Sequence, residues 1–389
     1  MKTELLVGAL PLAVWFGWKW GTRYRQAQPD SPSFSASYYA GVNYLVNEQT
    51  DKAVEAFIQM LDLSPETVDT TMTLGNLFRR RGEVDKAIQI HQNLIARPSL
   101  TREQRSRALL ALGEDYLSAG VLDRAENLFL ELIEMATVEK SDAQRHLIHI
   151  FEREKDWDRA IEIAKQFQLS TGQPLGKAIA HYYCEKAQLA LHQNDNRGAL
   201  KHIKNALNSD PNCVRASILL GRIEVAGGHY KTALRSYKQV QYQCEAYLPE
   251  VIGDICACFI ALKQENQLAT YLEGLLEASP STSVVLANAH RLSHTGNGER
   301  AANAVTEHLK HYPSIRGIKH LIEYHMSRLN DGGPHRELLV LHDLVEQLLA
   351  EKPIYRCESC GFSSKTLLWQ CPSCHEWSVI KPIQGLEGE

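Results

Sequence analysis

Residues 221–237 read GRIEVAGGHYKTALRSY, and this stretch decides the fold. Gly221 and Ala233 stand twelve residues apart, and Tyr237 falls four after the alanine, on the same helical face. Two small residues at that spacing predict a hairpin of antiparallel helices that approach too closely for larger side chains. The turn between them, VAGGHYKTA, supplies the glycine break and the polar opening of a second helix.

The spacing recurs outward in both directions. Gly41 and Ala53, Gly75 and Ala87, Gly113 and Ala125, Ala187 and Ala199, Ala257 and Ala269, and Ala289 and Ala301 are each separated by twelve, while Ile148 and Ala160 keep the interval with the first position enlarged. Further turns read RRRGEVDKA, LSAGVLDRA, REKDWDRA and KQENQLA. Phe57 and Phe129 repeat the aromatic position, and Pro65, Pro211 and Pro313 fall twelve after the alanine, where the second helix must stop. The period is near 34 to 39 residues. The pattern resembles the tetratricopeptide repeat, with eight copies over roughly residues 36–315 and a degenerate helical continuation to Lys352. It implies an all-α, superhelical solenoid over 36–352, a scaffold whose concave face holds another protein. The longer intervals at ARPSLTREQ and STGQPLGKA imply extended connections.

After the repeats, a module over 353–389 carries two Cys-x-x-Cys pairs, Cys357 with Cys360 and Cys371 with Cys374. Two residues between thiolates let the backbone wrap a knuckle that aims both sulfurs at one ion, and two knuckles complete a tetrahedral set. Zinc and iron both accept that geometry. Two disulfides would require an oxidising compartment and strained short loops, and a redox dithiol usually comes as a single pair opening a helix. The expected cofactor is therefore one iron or zinc ion on four cysteine thiolates, structural rather than hydrolytic because no position is left for water. Gly361 follows the first pair, where positive φ is wanted; His375 takes that place in the second and fits less well. So short a module cannot build a sufficient core from Tyr355, Phe362, Trp369 and Trp377, so the metal must supply much of its folding free energy, and the aromatic excess predicts packing against the repeats.

The N-terminus departs from the rest. Leu5–Trp20 reads LLVGALPLAVWFGWKW with Lys19 as its single charge. Sixteen helical residues rise about 24 Å, short of a hydrocarbon core of roughly 30 Å, but Lys19, Arg23 and Arg25 can snorkel, and Trp15, Trp18 and Trp20 suit the interface. A cleaved signal peptide would want its charge before the apolar run and small residues after it, which this segment lacks. Residues 1–25 are thus expected to be an uncleaved single-pass anchor, with the basic cluster placing the bulk of the chain on the cytoplasmic side. Residues 26–35, QAQPDSPSFS, read as a linker.

Across 389 residues, 44% hydrophobic and 23% charged, composition excludes disorder and collagen. A net charge of −4 argues against nucleic acid, and Lys352, Arg356, Lys365 and Lys381 near the tail are offset by Glu351, Glu358, Glu376, Glu387 and Glu389. Nine cysteines, an odd number, fit a reducing compartment; Cys184, Cys213, Cys244, Cys256 and Cys258 read as small buried helix residues. No catalytic residue is singled out: a phosphate-cradling loop, a Gly-x-Ser-x-Gly elbow and a His-Glu-x-x-His helix are all missing from the sequence. His146 with His149, or His290 with His294, could share a helix face but lack a third ligand. Arg79, Arg80 and Arg81 read as a solvated helix end.

Anchor, repeats and the tail YRCESCGF…WQCPSCHEWSVIKPIQGL together resemble, over the full chain, the lipopolysaccharide assembly protein B family of Gram-negative bacteria, with a rubredoxin-type metal module at Cys357, Cys360, Cys371 and Cys374. The resemblance implies a non-enzymatic inner-membrane adaptor. It would help a membrane-anchored ATP-dependent protease degrade the deacetylase that commits precursors to lipid A, limiting lipopolysaccharide synthesis, and other lipopolysaccharide assembly proteins are further possible partners. The alternative is an electron-transfer or metal- and redox-sensing protein built on the four-thiolate site.

Overall fold

The computed structural model describes residues 68–278, 281–326 and 335–386, with Tyr39, Gly41, Asn43, Tyr44, Lys52 and Gly388. The anchor expected at 1–25 and the linker at 26–35 lie outside the described residues. No helix among the described residues is long and apolar enough to cross a membrane. The protein is a mostly helical tetratricopeptide-repeat solenoid with a C-terminal rubredoxin-like zinc ribbon. The described residues group into two compact units that divide between Ile150 and Phe151.

The first unit contains α1 (Val68–Arg80), α2 (Val84–Ile95), α3 (Arg102–Ser118), α4 (Leu122–Met135) and most of α5 (Lys140–Glu154). The second continues with α6 (Trp157–Thr171), α7 (Gly176–His192), α8 (Asn196–Ser209), α9 (Val214–Ala226) and α10 (Tyr230–Gln243). A 3₁₀ helix, Glu245–Glu250, precedes α11 (Ile252–Ala261), α12 (Glu265–Ala278), α13 (Thr282–His294), α14 (Gly298–His311), α15 (Ile315–Met326) and α16 (His335–Glu351).

The hairpin turns share one construction. A left-handed residue sits five before the buried contact residue of the second helix: Gly82, Gly120, Gly228 and Gly296 where glycine is present, Lys155, Asn194 and Lys263 where it is not. The residue after it donates its N–H five positions back, as in His229 to the Glu224 carbonyl at 2.8 Å and Gln264 to the Phe259 carbonyl at 2.9 Å, which satisfies carbonyls the helix end leaves open. The connection at 96–104 ends in a capping box in which Thr101 and Gln104 exchange hydrogen bonds, and Asp156, Asp195 and Ser281 cap α6, α8 and α13 with their side chains.

Close approach within a hairpin falls between the small residue of the first helix and the ring four after the alanine of the second. A Cβ on Gly113 would lie 2.5 Å from Phe129, and one on Gly221 would lie 2.6 Å from Tyr237 Cζ. Ala87, Ala125, Ala199, Ala233 and Ala301 are fully buried, as the spacing predicts.

Three expectations need correction. Ala257 is exposed and Ala269 half-buried, so that pair is one residue out of register; Leu268, five after left-handed Lys263, is the buried position, and Leu272 fills the place of the ring. Arg79 is not a solvated helix end: its guanidinium donates to Glu114 at 2.5 Å and Asp115 at 2.7 Å, and Asp115 also meets His91 at 2.5 Å with both side chains fully buried. A buried carboxylate needs such partners, and His91 occupies the ring position that Phe129 and Tyr237 fill elsewhere. Finally, the 3₁₀ turn at Glu245–Glu250 extends a connection that the repeat pattern gave no reason to lengthen.

Candidate metal centre and its seat on the repeats

The ribbon begins with β1 (Tyr355–Cys357), which pairs antiparallel with β2 (Ser363–Ser364) on one side and β3 (Ile380–Pro382) on the other. Cys357 pairs with Ile380 at the end of β1, so the sheet fixes where the first knuckle leaves. The second knuckle is closed by a bridge between Gln370 and Trp377. The two knuckles match. Gly361 N–H donates to the Cys357 carbonyl at 3.0 Å and His375 N–H to the Cys371 carbonyl at 2.8 Å. His375 adopts φ 59°, the left-handed turn that Gly361 makes at 78°, so the histidine that seemed a poor fit takes the same conformation.

The four sulfurs gather within 4.8 Å of one another, with Cys357 Sγ 3.7 Å from Cys374 Sγ and Cys360 Sγ 3.6 Å from Cys371 Sγ. A tetrahedron with metal–sulfur bonds of about 2.3 Å has edges of about 3.8 Å, so the donor set fits zinc or iron with little adjustment. A hydrogen bond from the Phe362 backbone N–H holds the Cys360 thiol down at about 6. Cys374 receives the equivalent bond from Glu376, which lowers it, yet desolvation and the adjoining thiols push it up to about 12. Four sulfurs this close cannot all ionise without a cation, which is the chemistry of a metal site.

Trp369 and Trp377 face the repeats. Trp377, 7% exposed, stacks on His181 of α7 at 4.8 Å and meets Tyr182 and Trp157 edge-on at 5.9 and 6.4 Å. Its indole N–H donates to Glu152 Oε1 at 2.8 Å, which also accepts the Tyr182 hydroxyl at 2.7 Å. Burial raises the Glu152 carboxyl above its ordinary range. Burial, with Arg215 and Lys177 nearby, holds His181 well below its usual value, so it is neutral as it stacks and meets Ser378. Trp369 lies 5.4 Å from Tyr247, whose hydroxyl donates to the Ile380 carbonyl at 2.8 Å, and Tyr355 donates to Glu250 at 2.7 Å. The unpredicted 3₁₀ turn thus carries two of the residues that receive the ribbon.

Four-cysteine clustering and the packing of both tryptophans on the repeats answer the sequence expectations. Glu152, His181, Tyr182, Tyr247 and Glu250 went unnoticed, for their partners lie 100 or more residues away or become visible only in the fold. His290 and His294 do lie together, rings 4.8 Å apart, whereas His146 pairs with Glu114. Cys184 and Cys213 are buried neighbours at 3.8 Å.

Fold and site therefore define a tetratricopeptide-repeat protein carrying a four-thiolate ribbon. Family models concur: residues 355–382 match the rubredoxin metal binding domain, and 73–106, 110–174 and 184–246 match the tetratricopeptide repeat. The chain is 38% identical to lipopolysaccharide assembly protein B of Escherichia coli (strain K12) over 387 residues, covering 99% of both chains, and 33% identical to that of Haemophilus influenzae over 395 residues, again 99% of both. It belongs to the lipopolysaccharide assembly protein B family. A solved tetratricopeptide repeat protein from Parabacteroides merdae aligns at 12% identity over 72% of this chain and 99% of that one, with a TM-score of 0.32.

Proposed function

We propose that the chain is a non-enzymatic adaptor that regulates lipopolysaccharide synthesis at the inner membrane. Residues 1–25 anchor it, 26–35 link, 36–352 form the scaffold and 353–389 the metal module, with Cys357, Cys360, Cys371 and Cys374 holding one iron or zinc ion. The repeats present the lipid A-pathway deacetylase to a membrane-anchored ATP-dependent protease, and the short linker keeps the scaffold at the bilayer, raising its effective concentration for membrane-bound partners. Full-length kinship with lipopolysaccharide assembly protein B carries this reading.

The metal, when bound, supplies cross-linking free energy rather than chemistry on a substrate. The ribbon's own residues do the rest: Trp369 and Trp377 wedge it against α7, α9 and the 3₁₀ turn, which ties its folding to theirs. The competing electron-transfer reading draws on the exposure of Cys360. An affinity pull-down from detergent-solubilised membranes, comparing the whole chain with one lacking residues 1–25, tests the proposal. Recovery of protease and deacetylase, with the protease lost on removing the anchor, is expected. Recovery of redox partners would sink the adaptor reading, and a reversible one-electron couple in the purified protein would replace it.

A further inference from the structure

A groove of about 850 Å³ opens among α11, α12, α13 and α15, across three successive hairpins. Its floor is apolar and low. Cys256, Ala257, Leu286 and Ala287 line it, Ile260 stands 60% exposed at its edge, and a Cβ on Gly253 would meet nothing within 4 Å. Ala257 and Ala269, the pair out of register with the hairpin contact, both line this groove.

The rim has the opposite character to the chain as a whole. Against a net charge of −4 counted with neutral histidines, the lining carries Arg291 and Arg316 against Glu265 as its one acidic residue, with His290, His294 and His320 beside them and His320 already bonded to Glu323 at 2.7 Å. Low apolar floor and cationic rim together select a ligand of complementary pattern, since potential across an interface sets which partner docks and in what register.

We infer that this groove is the client-binding subsite of the scaffold and takes a protein segment that presents a large apolar side chain flanked by aspartate or glutamate. The inference rests on the adaptor reading. The apolar side chain lies over Ile260 and Leu286, and the carboxylates meet Arg291 and Arg316.

The test places a photo-crosslinking amino acid at Ile260 in the full-length protein, and measures binding of the lipid A-pathway deacetylase from the same organism. Ile260→Glu and the pair Arg291→Glu with Arg316→Glu should each weaken that binding tenfold or more with the thermal melt unchanged, while Lys201→Glu, exposed on α8, leaves it as it was. The crosslinked segment should carry acidic residues beside a large apolar one. If the wild type binds the deacetylase and the groove variants bind it equally well, the subsite is wrong and the adaptor reading stands. If the crosslink runs to lipid or to a second copy of this chain, the proposed occupant is wrong. If the wild type does not bind the deacetylase at all, the adaptor reading falls and takes this inference with it.

Discussion

Truncating Trp377 to alanine should release the ribbon from the repeats without touching a metal ligand. The indole is nearly buried, and the loss of a buried tryptophan costs about 3–5 kcal/mol. Much of that belongs to docking, because His181, Tyr182 and Trp157 all lie on the repeats, and each aromatic pair is worth about 0.5–1.5 kcal/mol beyond the area it buries. Trp377→Phe keeps most of the ring and loses the bond to Glu152, for which about 1–3 kcal/mol is expected. Since about 1.4 kcal/mol is tenfold, the alanine variant should populate the undocked ribbon several hundred-fold more than the parent, and the phenylalanine variant roughly 5- to 150-fold more. Native-state hydrogen exchange reads this directly. Amides of β1 and β3, and those of the 3₁₀ turn, should lose protection together, while metal content and the protection of α1–α4 stay put. A cycle combining Trp377→Phe with Glu152→Gln should show coupling near 1 kcal/mol. Should Trp377→Ala leave protection of the ribbon and the 3₁₀ turn within tenfold of the parent, the seat described for this residue is not what holds the module.

Chelating the metal, or replacing Cys357 and Cys371 with serine, should unfold the ribbon and expose Tyr247 and His181 to protease, with α1–α4 unaffected; a ribbon that keeps its exchange protection without metal would refute this. His181 is neutral and held well below 6.5, so the docked state binds fewer protons than the open one: docking should be intact above about pH 6.5 and weaken as the pH falls below it, a dependence that His181→Phe removes. Glu152 works in the opposite sense, its raised carboxyl favouring the docked state below about pH 4.5 and losing that benefit as the pH rises through its folded value, a component that Glu152→Gln abolishes. Gly221→Ala should cost about 1–3 kcal/mol in urea melts through its clash with Tyr237, whereas Gly253→Ala, with open space at its Cβ, should gain up to about 1 kcal/mol from helix propensity. Asp115→Ala strands the fully buried His91, while Arg79 keeps Glu114, and should cost about 3–5 kcal/mol.

The repeats were legible because hairpin packing imposes a local rule: two helices joined by a tight turn must meet at a fixed distance along the chain, so the small residue, the left-handed turn and the ring recur at fixed intervals. The rule fails where a different constraint takes over the same residues. Ala257 and Ala269 keep the spacing yet stand out of register, and only the left-handed Lys263 with buried Leu268 shows which residue carries the contact. His91 breaks the aromatic pattern because a carboxylate, Asp115, arrives from the next hairpin and needs a partner; nothing local to His91 announces it.

At the metal centre the same division holds. Each Cys-x-x-Cys is a local geometric device, so the four sulfurs were readable from spacing, and even His375 proved able to make the turn. The seat is not local. Glu152, His181 and Tyr247 sit on helices and a turn whose sequences would serve equally well without a ribbon, and Glu152 Oε1, His181 Nε2 and the Tyr247 hydroxyl meet Trp377, Ser378 and the Ile380 carbonyl across separations of more than 130 residues. What the sequence did show was the other side of the interface, as more aromatic surface than the ribbon could cover. Covering a histidine and a carboxyl costs desolvation unless the cover brings partners, and Trp377 and Ser378 bring them. That cost explains why the docking residues, once located, form a connected set, and why removing Trp377 should be felt on both sides of the contact.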